Sequence, residues 1–187
     1  MNLNKIYLAY NHLSILIKDK IYNLPLKKDI LSSGIIINNE LFIKTYLKFF
    51  GENKLGKLFW TKKVEIIYNC EYHQADINNL ENIFRELNYK DIRLICEKNI
   101  LKYNKKNNFL VIDCTHRLFY IDKYNTKKVL VMDNEILSNQ EIGQLIKNRS
   151  NKKTLYVIGK IDNSIMSDNI EYYYYENIDE FFLKNVF

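Results

Sequence analysis

Apolar and polar residues alternate in short runs through the first part of the chain, and this period of two predicts β-strands. The runs KIYLAY and LSILIKD are joined at Asn11-His12, and a two-residue link that begins with asparagine suits a hairpin. A third run, KIYNLP, follows, and Pro25 is expected to end it because proline has no N–H for the strand ladder. The pattern therefore predicts an opening meander of three antiparallel strands.

The next segments have the apolar spacing of amphipathic helices, separated by strand-like runs. In NNELFIKTYLKFFGEN the predicted cap is Asn38 or Asn39, and Gly51 is the predicted stop. Its apolar stripe consists of Phe42, Tyr46, Phe49 and Phe50. DINNLENIFRELNY is a second predicted helix, with Asp76 as its cap. KKVEIIYNC and DIRLIC are predicted strands, and EKNILKYN is expected to form one or two helical turns.

The second half repeats this order of elements without repeating the residues. FLVIDC, RLFYIDKY, KKVLVMD, KTLYVIGK and IEYYYYEN are predicted strands. SNQEIGQLIKNRS and IDEFFLKNVF are predicted helices, the first with a capping box of Ser138 and Glu141. Hairpins followed by helical crossovers imply mixed sheets, antiparallel at one side and parallel at the other, with helices on their faces. We therefore expect two α/β lobes, residues 1–106 and 107–187.

Composition narrows the class of protein without identifying a chemistry. The 187 residues are 47% hydrophobic and 27% charged, which is typical of a folded globular chain. The net charge of +6 favours contact with anions, but the lysines are dispersed rather than grouped in a block. Cys70, Cys96 and Cys114 form no CxxC pair and are interpreted as small buried residues in a reducing cytoplasm. We expect no signal peptide and no transmembrane segment.

The duplicated order resembles the architecture of the actin, Hsp70 and sugar-kinase superfamily, and the segments are similar to bacterial actin-like proteins of the MreB, FtsA and PilM type. SSGIIINNELFIKTYLKFF resembles the stretch in which a glycine and a short strand enter the first crossover helix. Glu97 lies where that family carries an acidic residue after a strand, and FLVIDCTHRLFYID resembles its second phosphate-binding hairpin. The resemblance implies an actin-like, ribonuclease-H-like fold of duplicated mixed sheets, here without the outer subdomains.

The same resemblance implies a nucleotide site, but this chain lacks most of the residues that the family carries there. The family's first phosphate loop is an Asp followed by a glycine-bearing turn, and this chain has Ala9 and Asn11-His12 there. Such loops are glycine-rich because backbone amides must come close to the phosphates. Asp113, Thr115 and Gly159 are interpreted as the remnant of a cofactor site. We expect no cofactor, with ATP and magnesium as the disfavoured alternative.

Other kinds of chemistry are compatible with residues at these and neighbouring positions. Asp113 suits either a magnesium ion held through water or a side chain that caps its own turn. His12 and His116 lie in the two hairpin turns, and a metal site there would need further ligands. A ribonuclease-H-like nuclease needs an Asp on the first strand, and KIYLAY has none.

The aromatic residues near the end of the chain are the candidates for an interaction surface. Tyr173 and Tyr175 alternate in IEYYYYEN, and Phe187 closes an apolar segment expected to dock on this chain or on another. The sequence therefore predicts a non-catalytic actin-like scaffold of a bacterial cytoplasm, or of the inner face of its membrane through a partner. It would act in cell-shape, division or envelope-machine assembly, by protein contacts or self-association. The alternatives are an ATPase with atypical phosphate loops and a nucleic-acid-binding module.

Overall fold

The computed structural model describes residues 4–55, 62–69, 72–103, 108–112, 118–122, 126–129, 144, 154–158, 171–175 and 177–185. The chain divides into two compact units, one of Met1–Ile100 with Phe182–Phe187 and the other of Leu101–Phe181. The lobes 1–106 and 107–187 stay a prediction.

The first unit is built on a mixed sheet. Its strands are β1 Asn4–Leu8, β2 His12–Ile17, β3 Lys20–Pro25, β4 Leu31–Ser32, β5 Ile35–Ile36, β6 Lys63–Tyr68 and β7 Asp91–Cys96. The sheet has the order β3-β2-β1-β6-β7, and β4 and β5 form a separate small hairpin. The pairs β1–β2 and β2–β3 are antiparallel, whereas β1–β6 and β6–β7 are parallel. The predicted mixed sheet is thus present in the first unit.

The helices of the first unit are α1 Asn39–Glu52, α2 Gln74–Glu86 and the start of α3 Glu97–Tyr103, which continues past Ile100 into the second unit. Asn38 caps α1, since its side chain accepts a hydrogen bond from Leu41 N at 3.1 Å. The prediction that Gly51 ends this helix is wrong, because Gly51 lies inside α1, which ends at Glu52. The chain leaves the helix at Lys54, which has a φ of 55°. Lys54 N then donates to the Gly51 carbonyl, which completes a left-handed cap without glycine at the left-handed position.

Two further local predictions are corrected. Asp76 is not the cap of α2, because the helix begins after His73, and the Asp76 carboxylate reaches back to accept from His73 N at 2.9 Å. The link between β1 and β2 is longer than two residues, since the Leu8–Leu13 pair encloses four. The wider turn brings the Asn11 carbonyl to Leu26 N at 3.0 Å.

One face of the first sheet packs against α1 and α2. Its side chains are the alternate residues of the strands, and Ile6 lies directly opposite Ile15 and Ile66 in the sheet. Each helix contributes its apolar stripe, and the buried members are Phe42, Tyr46, Phe50, Leu80, Ile83 and Phe84. The rings of Tyr46 and Phe50 are 4.5 Å apart between centroids. This apolar layer is the core of the unit.

Three buried polar side chains form a hydrogen-bonded network beside this apolar core, near the start of β1. The hydroxyls of Tyr46 and Tyr89 are 3.0 Å apart, and Tyr89 also hydrogen-bonds the buried side chain of Asn4. Burial raises the pKa of the Tyr46 phenol well above its usual value of 10.0, and the neighbouring Tyr89 adds to this. Burial also raises the pKa of Tyr89, against the opposing effect of its two hydrogen bonds. Both phenols therefore favour the protonated form in the folded protein.

We expect this pair to make the protein sensitive to alkaline pH. Because the folded state holds these protons more tightly, stability is complete below the unfolded pKa of about 10 and falls as pH rises past it. The expected slope is about 1.4 kcal/mol per pH unit for each tyrosine. Tyr46→Phe should lower this slope in urea unfolding measured from neutral to alkaline pH. Phe42→Leu is the matched core control, which should lower stability but keep the slope; an unchanged slope in Tyr46→Phe would refute the account.

The second unit contains a sheet with the same strand order. Its strands are β8 Asn108–Ile112, β9 Leu118–Asp122, β10 Thr126–Val129, β11 Thr154–Ile158 and β12 Glu171–Tyr175. They are arranged β10-β9-β8-β11-β12, antiparallel on the β10 side and parallel on the β12 side. Of the helix predicted at 138–150, only Gln144 is described, in helical conformation. The last helix, α4, is Ile178–Lys184; its residues up to Phe181 belong to the second unit and those from Phe182 to the first. The Asn177 side chain caps it by accepting from Glu180 N at 3.0 Å.

Candidate functional site

The carboxyl ends of β1, β6 and β7 lie at the same edge of the first sheet because these strands are parallel. Loops that follow such strands form the ligand sites of α/β folds. Five residues on or after these strands and in the β4–β5 turn are named the carboxyl-edge cluster: Tyr7, Tyr10, Ser33, Asn69 and Glu97. This cluster is the candidate site of the first unit.

Glu97 is a buried acid at this edge. It directly follows β7 in the first turn of α3 and is 3% exposed. The Tyr7 hydroxyl, which is also buried, donates a hydrogen bond to Glu97 Oε1 at 2.9 Å. A carboxyl group removed from water needs such partners, since an uncompensated buried charge is costly. The Tyr7 ring in turn lies 5.0 Å from the ring of Phe182 between centroids.

Asn69 fixes the β4–β5 turn against the end of β6. Its side chain is fully buried, and Nδ2 donates to the Ser33 carbonyl at 3.1 Å. Ser33 and Gly34 have φ angles of 51° and 76°, which form the left-handed two-residue turn that glycine favours. Gly34 N donates to the Tyr10 carbonyl at 3.0 Å, and Ser33 Oγ donates to the Tyr10 hydroxyl at 3.3 Å. These hydrogen bonds join the β4–β5 turn to the loop after β6 and to the loop after β1.

The turn between β1 and β2 offers little to a phosphate. Ala9, at the position where the resemblance implies an acid, is buried with 5% exposure. Tyr10 and Asn11 follow it, and their carbonyls accept hydrogen bonds from Gly34 N and Leu26 N. A methyl group in place of a carboxylate, followed by Tyr10 and Asn11 in place of a glycine-bearing turn, does not fit a magnesium-bound nucleotide phosphate, which needs a carboxylate and closely approaching amides. This half of the implied nucleotide site does not fit the cofactor.

The hydrogen bonds of the carboxyl-edge cluster join groups of the chain itself. Tyr7, Asn69 and Ser33 donate to Glu97, to Ser33 and to Tyr10, respectively. Polar side chains arranged in this way orient loops and satisfy buried atoms, as structural networks do. The arrangement supports a rigid edge more directly than it supports proton transfer or metal binding.

A metal site is not formed by the part of the chain that is described. No group of three or more His, Cys, Asp or Glu side chains there is arranged to hold an ion. His12 Nδ1 lies 2.8 Å from Asn11 Oδ1, which is a local contact within the first turn. Its predicted partner, His116, lies outside the described residues.

Most of the predicted site residues lie outside the part of the chain that the structure describes. Asp113, Thr115, Gly159 and Phe187 are outside the described residues, so the remnant nucleotide site and the terminal contact stay predictions. The backbones of Tyr173 and Tyr175 lie in β12, opposite Tyr156 and Ile158 of β11. β12 stands at the end of the strand order in its sheet.

Three participants were not identified from the sequence: Tyr7, Asn69 and Phe182. Tyr7 has the alternating position of an ordinary strand residue, and its bond to Glu97 joins residues 90 apart in the chain. Asn69 gave a usable signal, since a polar residue at the carboxyl end of a buried strand often belongs to a site. Glu97 was singled out, and the structure supplies the partner that the sequence left unnamed.

Within the described residues, none of the helices has the length and apolar character that crossing a membrane requires.

Comparison with known proteins establishes the fold. No family model matches the chain, and no curated protein matches its sequence. Among solved structures, the chain is similar to MreB5 of Spiroplasma citri bound to ADP, with a TM-score of 0.52 and 12% identity. It is also similar to MreB5 of Spiroplasma citri bound to AMPPNP, with a TM-score of 0.56 and 13% identity.

Each alignment covers 80% of this chain, but only 57% of the ADP-bound protein and 58% of the AMPPNP-bound protein. The chain thus spans less than two thirds of the length of these structures. At such low identity the likeness concerns the fold, and the chain has an actin-like fold. The predicted actin-like fold is thus confirmed, whereas the duplication of its sheets and the lack of the outer subdomains stay predictions.

The bond between Tyr7 and Glu97 should hold the carboxyl edge together. Tyr7→Phe is expected to lower the free energy of unfolding by about 1–3 kcal/mol, because it removes a donor from a buried carboxyl group. In a double-mutant cycle with Glu97→Gln, urea unfolding should give a coupling of about 1 kcal/mol or more.

The control cycle combines Tyr7→Phe with Glu81→Gln, whose carboxylate pairs with Arg85 on α2. Those two changes should be additive to within about 0.5 kcal/mol. Additive behaviour of Tyr7 and Glu97 would show that their contact does not stabilise the edge.

Proposed function

We propose that this chain is a pared-down actin-like protein, built from two related mixed sheets, that works as a scaffold by protein contacts and not by ATP hydrolysis. The observation that carries the proposal is the turn after β1, where an actin-like protein needs an acid and a close-approaching loop. Here the position holds the buried Ala9, which has no carboxylate, and the residues that follow it, Tyr10 and Asn11, include no glycine.

The state of Glu97 supports the same proposal. An acid that positions magnesium or a water molecule must be accessible to that ion or to water. Glu97 instead accepts from the Tyr7 hydroxyl and is 3% exposed. Its carboxyl group is therefore used to join β1 to α3, a role suited to a protein that keeps the fold without the reaction.

The proposed role is assembly in a bacterial cytoplasm, in cell-shape, division or envelope machinery, by self-association or with a protein partner. The sheet order shared by the two units supports a duplicated architecture. The edge strand β12, with its run of tyrosines, suits a contact surface, because tyrosine is enriched in protein interfaces.

Nucleotide binding with atypical loops is the second candidate. It is favoured by the fold neighbours, whose structures hold ADP and AMPPNP. Nucleic-acid binding rests on the net charge of +6 and the tyrosine-rich run, which suit phosphates and stacked bases.

Sedimentation equilibrium of the full chain tests the proposal. The average mass should rise with protein concentration, and the rise should be the same with and without magnesium and ATP, because no nucleotide is required. A chain that stays monomeric at every concentration would contradict self-association. Assembly only in the presence of ATP would favour the second candidate.

A further inference from the structure

The amino ends of β1, β6 and β7 lie at one edge of the first sheet because these strands are parallel. The turn between β2 and β3 lies at the same edge, since β2 runs antiparallel to both β1 and β3. This amino edge is opposite the carboxyl-edge cluster. The sheet has five strands, and a spacing of about 4.8 Å between neighbours makes the edge about 19 Å long.

Lysines that are dispersed along the sequence are brought together at the amino edge by the topology. Lys18 begins the β2–β3 turn and Lys20 begins β3, whereas Lys62 and Lys90 directly precede β6 and β7. These four residues, named the amino-edge lysines, are all exposed. Within the described residues, none of their ammonium groups forms an ion pair with a carboxylate. Lys20 Nζ lies 5.0 Å from the centroid of the Tyr22 ring, a contact that leaves its charge uncancelled.

Backbone hydrogen bonds fix the positions of the amino-edge lysines. Ile17 pairs with Lys20, so Lys18 begins a two-residue turn, whose φ angles are 47° and 65°. Such left-handed turns match the twist of the strands that they join. The Lys62 carbonyl accepts a hydrogen bond from Lys90 N at 2.8 Å, which joins the start of β6 to the start of β7. A partner that binds this edge therefore orders little backbone.

The amino edge has an excess of positive charge. Besides the amino-edge lysines, its strand ends and turns carry Lys63, Asp19 and Asp91. Five lysines and two aspartates give a formal charge of +3, within a chain of +6. Lys63 Nζ and Asp91 Oδ2 are 2.9 Å apart and compensate each other. The excess charge therefore resides on the amino-edge lysines and favours a partner of dense negative charge.

The composition of the amino edge fits a nucleic acid better than a protein or a lipid surface. Protein interfaces are depleted of lysine, and attachment to a membrane surface uses buried apolar area in addition to charge. The exposed large hydrophobic residues of the described chain are Ile37 and Leu47, which lie before and within α1 rather than at the strand ends. Phosphate backbones, in contrast, are bound by lysine without apolar anchors.

We propose that the amino-edge lysines bind the phosphate backbone of a double-stranded nucleic acid without reading its sequence. A duplex carries a phosphate about every 3.4 Å along each strand, so an edge of about 19 Å follows five to six base pairs. Single strands are bound chiefly by aromatic stacking, which exposed lysines do not provide. Lysine contacts to phosphate hold a duplex but carry no sequence information. Such binding adds to the proposed scaffold function and does not require self-association.

Fluorescence anisotropy of the full chain with a fluorescein-labelled DNA duplex of about 20 base pairs tests the proposal. Binding with a dissociation constant of about 1–10 μM is expected at about 50 mM salt. The slope of log K against log salt should be about −3.6, because each of the four neutralised phosphates contributes about −0.9. Duplexes of unrelated sequence should bind equally.

The Lys62→Gln/Lys90→Gln chain should bind at least about tenfold more weakly at low salt, with a slope of about −1.8. Lys27→Gln/Lys28→Gln is the matched control, since it removes the same charge from exposed lysines that follow β3 at the opposite edge. The affinity of the control should stay within about threefold of the wild type. If the first variant fails to fold, as circular dichroism would show, Lys18→Gln/Lys20→Gln replaces it with the same expected loss.

Equal weakening by the edge variant and the control would overturn the proposal, because binding would then follow the net charge and not the amino edge. Absence of duplex binding at about 50 mM salt, or a slope near zero, would also overturn it. Co-sedimentation with phosphatidylcholine vesicles that contain about 30% phosphatidylserine tests a lipid partner. Binding to these vesicles without binding to the duplex would overturn the proposal in favour of a membrane surface.

Discussion

Strand β1 is hydrogen-bonded on both sides and buried on both faces. Every polar group that it carries must therefore find a partner inside the protein, and the structure of the first unit depends on this constraint. Its pairing with antiparallel β2 and parallel β6 fixes which residues face which layer. Ile6 and Leu8 face the aromatic core of α1 and α2, whereas Tyr7 faces Phe182. A strand in this position can carry polar groups only where they find partners inside the protein.

The two faces meet this constraint differently, and the difference bears on function. The face toward α1 and α2 is filled by rings and aliphatic side chains, with the Asn4, Tyr46 and Tyr89 network at one end. The other face joins Tyr7 to Glu97 at the edge where related folds place a ligand. Acid, amide and hydroxyl groups at that edge bind one another. This is why we propose a scaffold that retains the actin-like architecture and uses its surfaces for assembly.

The sequence predicted the elements well because each strand and helix has a clear local pattern. The stripe of Phe42, Tyr46 and Phe50 and the cap at Asn38 were both anticipated. The left-handed turn at Lys54 was not, because lysine rarely adopts a positive φ and only the packed helix end requires it. The wide turn after β1 was missed for a related reason, since its length is set by contacts with Gly34 and Leu26.

The candidate site was less predictable than the fold. Glu97 stood out as an acid after a strand, but its partner Tyr7 is 90 residues away, and the cover at Phe182 comes from the last helix. Such contacts depend on how distant segments pack, which local periodicity does not encode. Phe182, which lies in the same terminal segment as Phe187, packs on Tyr7 of the same chain, whereas the contact predicted for Phe187 stays a prediction.

Calorimetric titration of the full chain with ATP in the presence of magnesium tests the central claim most directly. We predict no saturable heat up to about 1 mM nucleotide, beyond that of a matched magnesium titration, because the first phosphate turn does not fit the ligand. Saturable binding with a dissociation constant of about 1 μM would contradict the account and would assign the chain to the nucleotide-binding actin-like proteins.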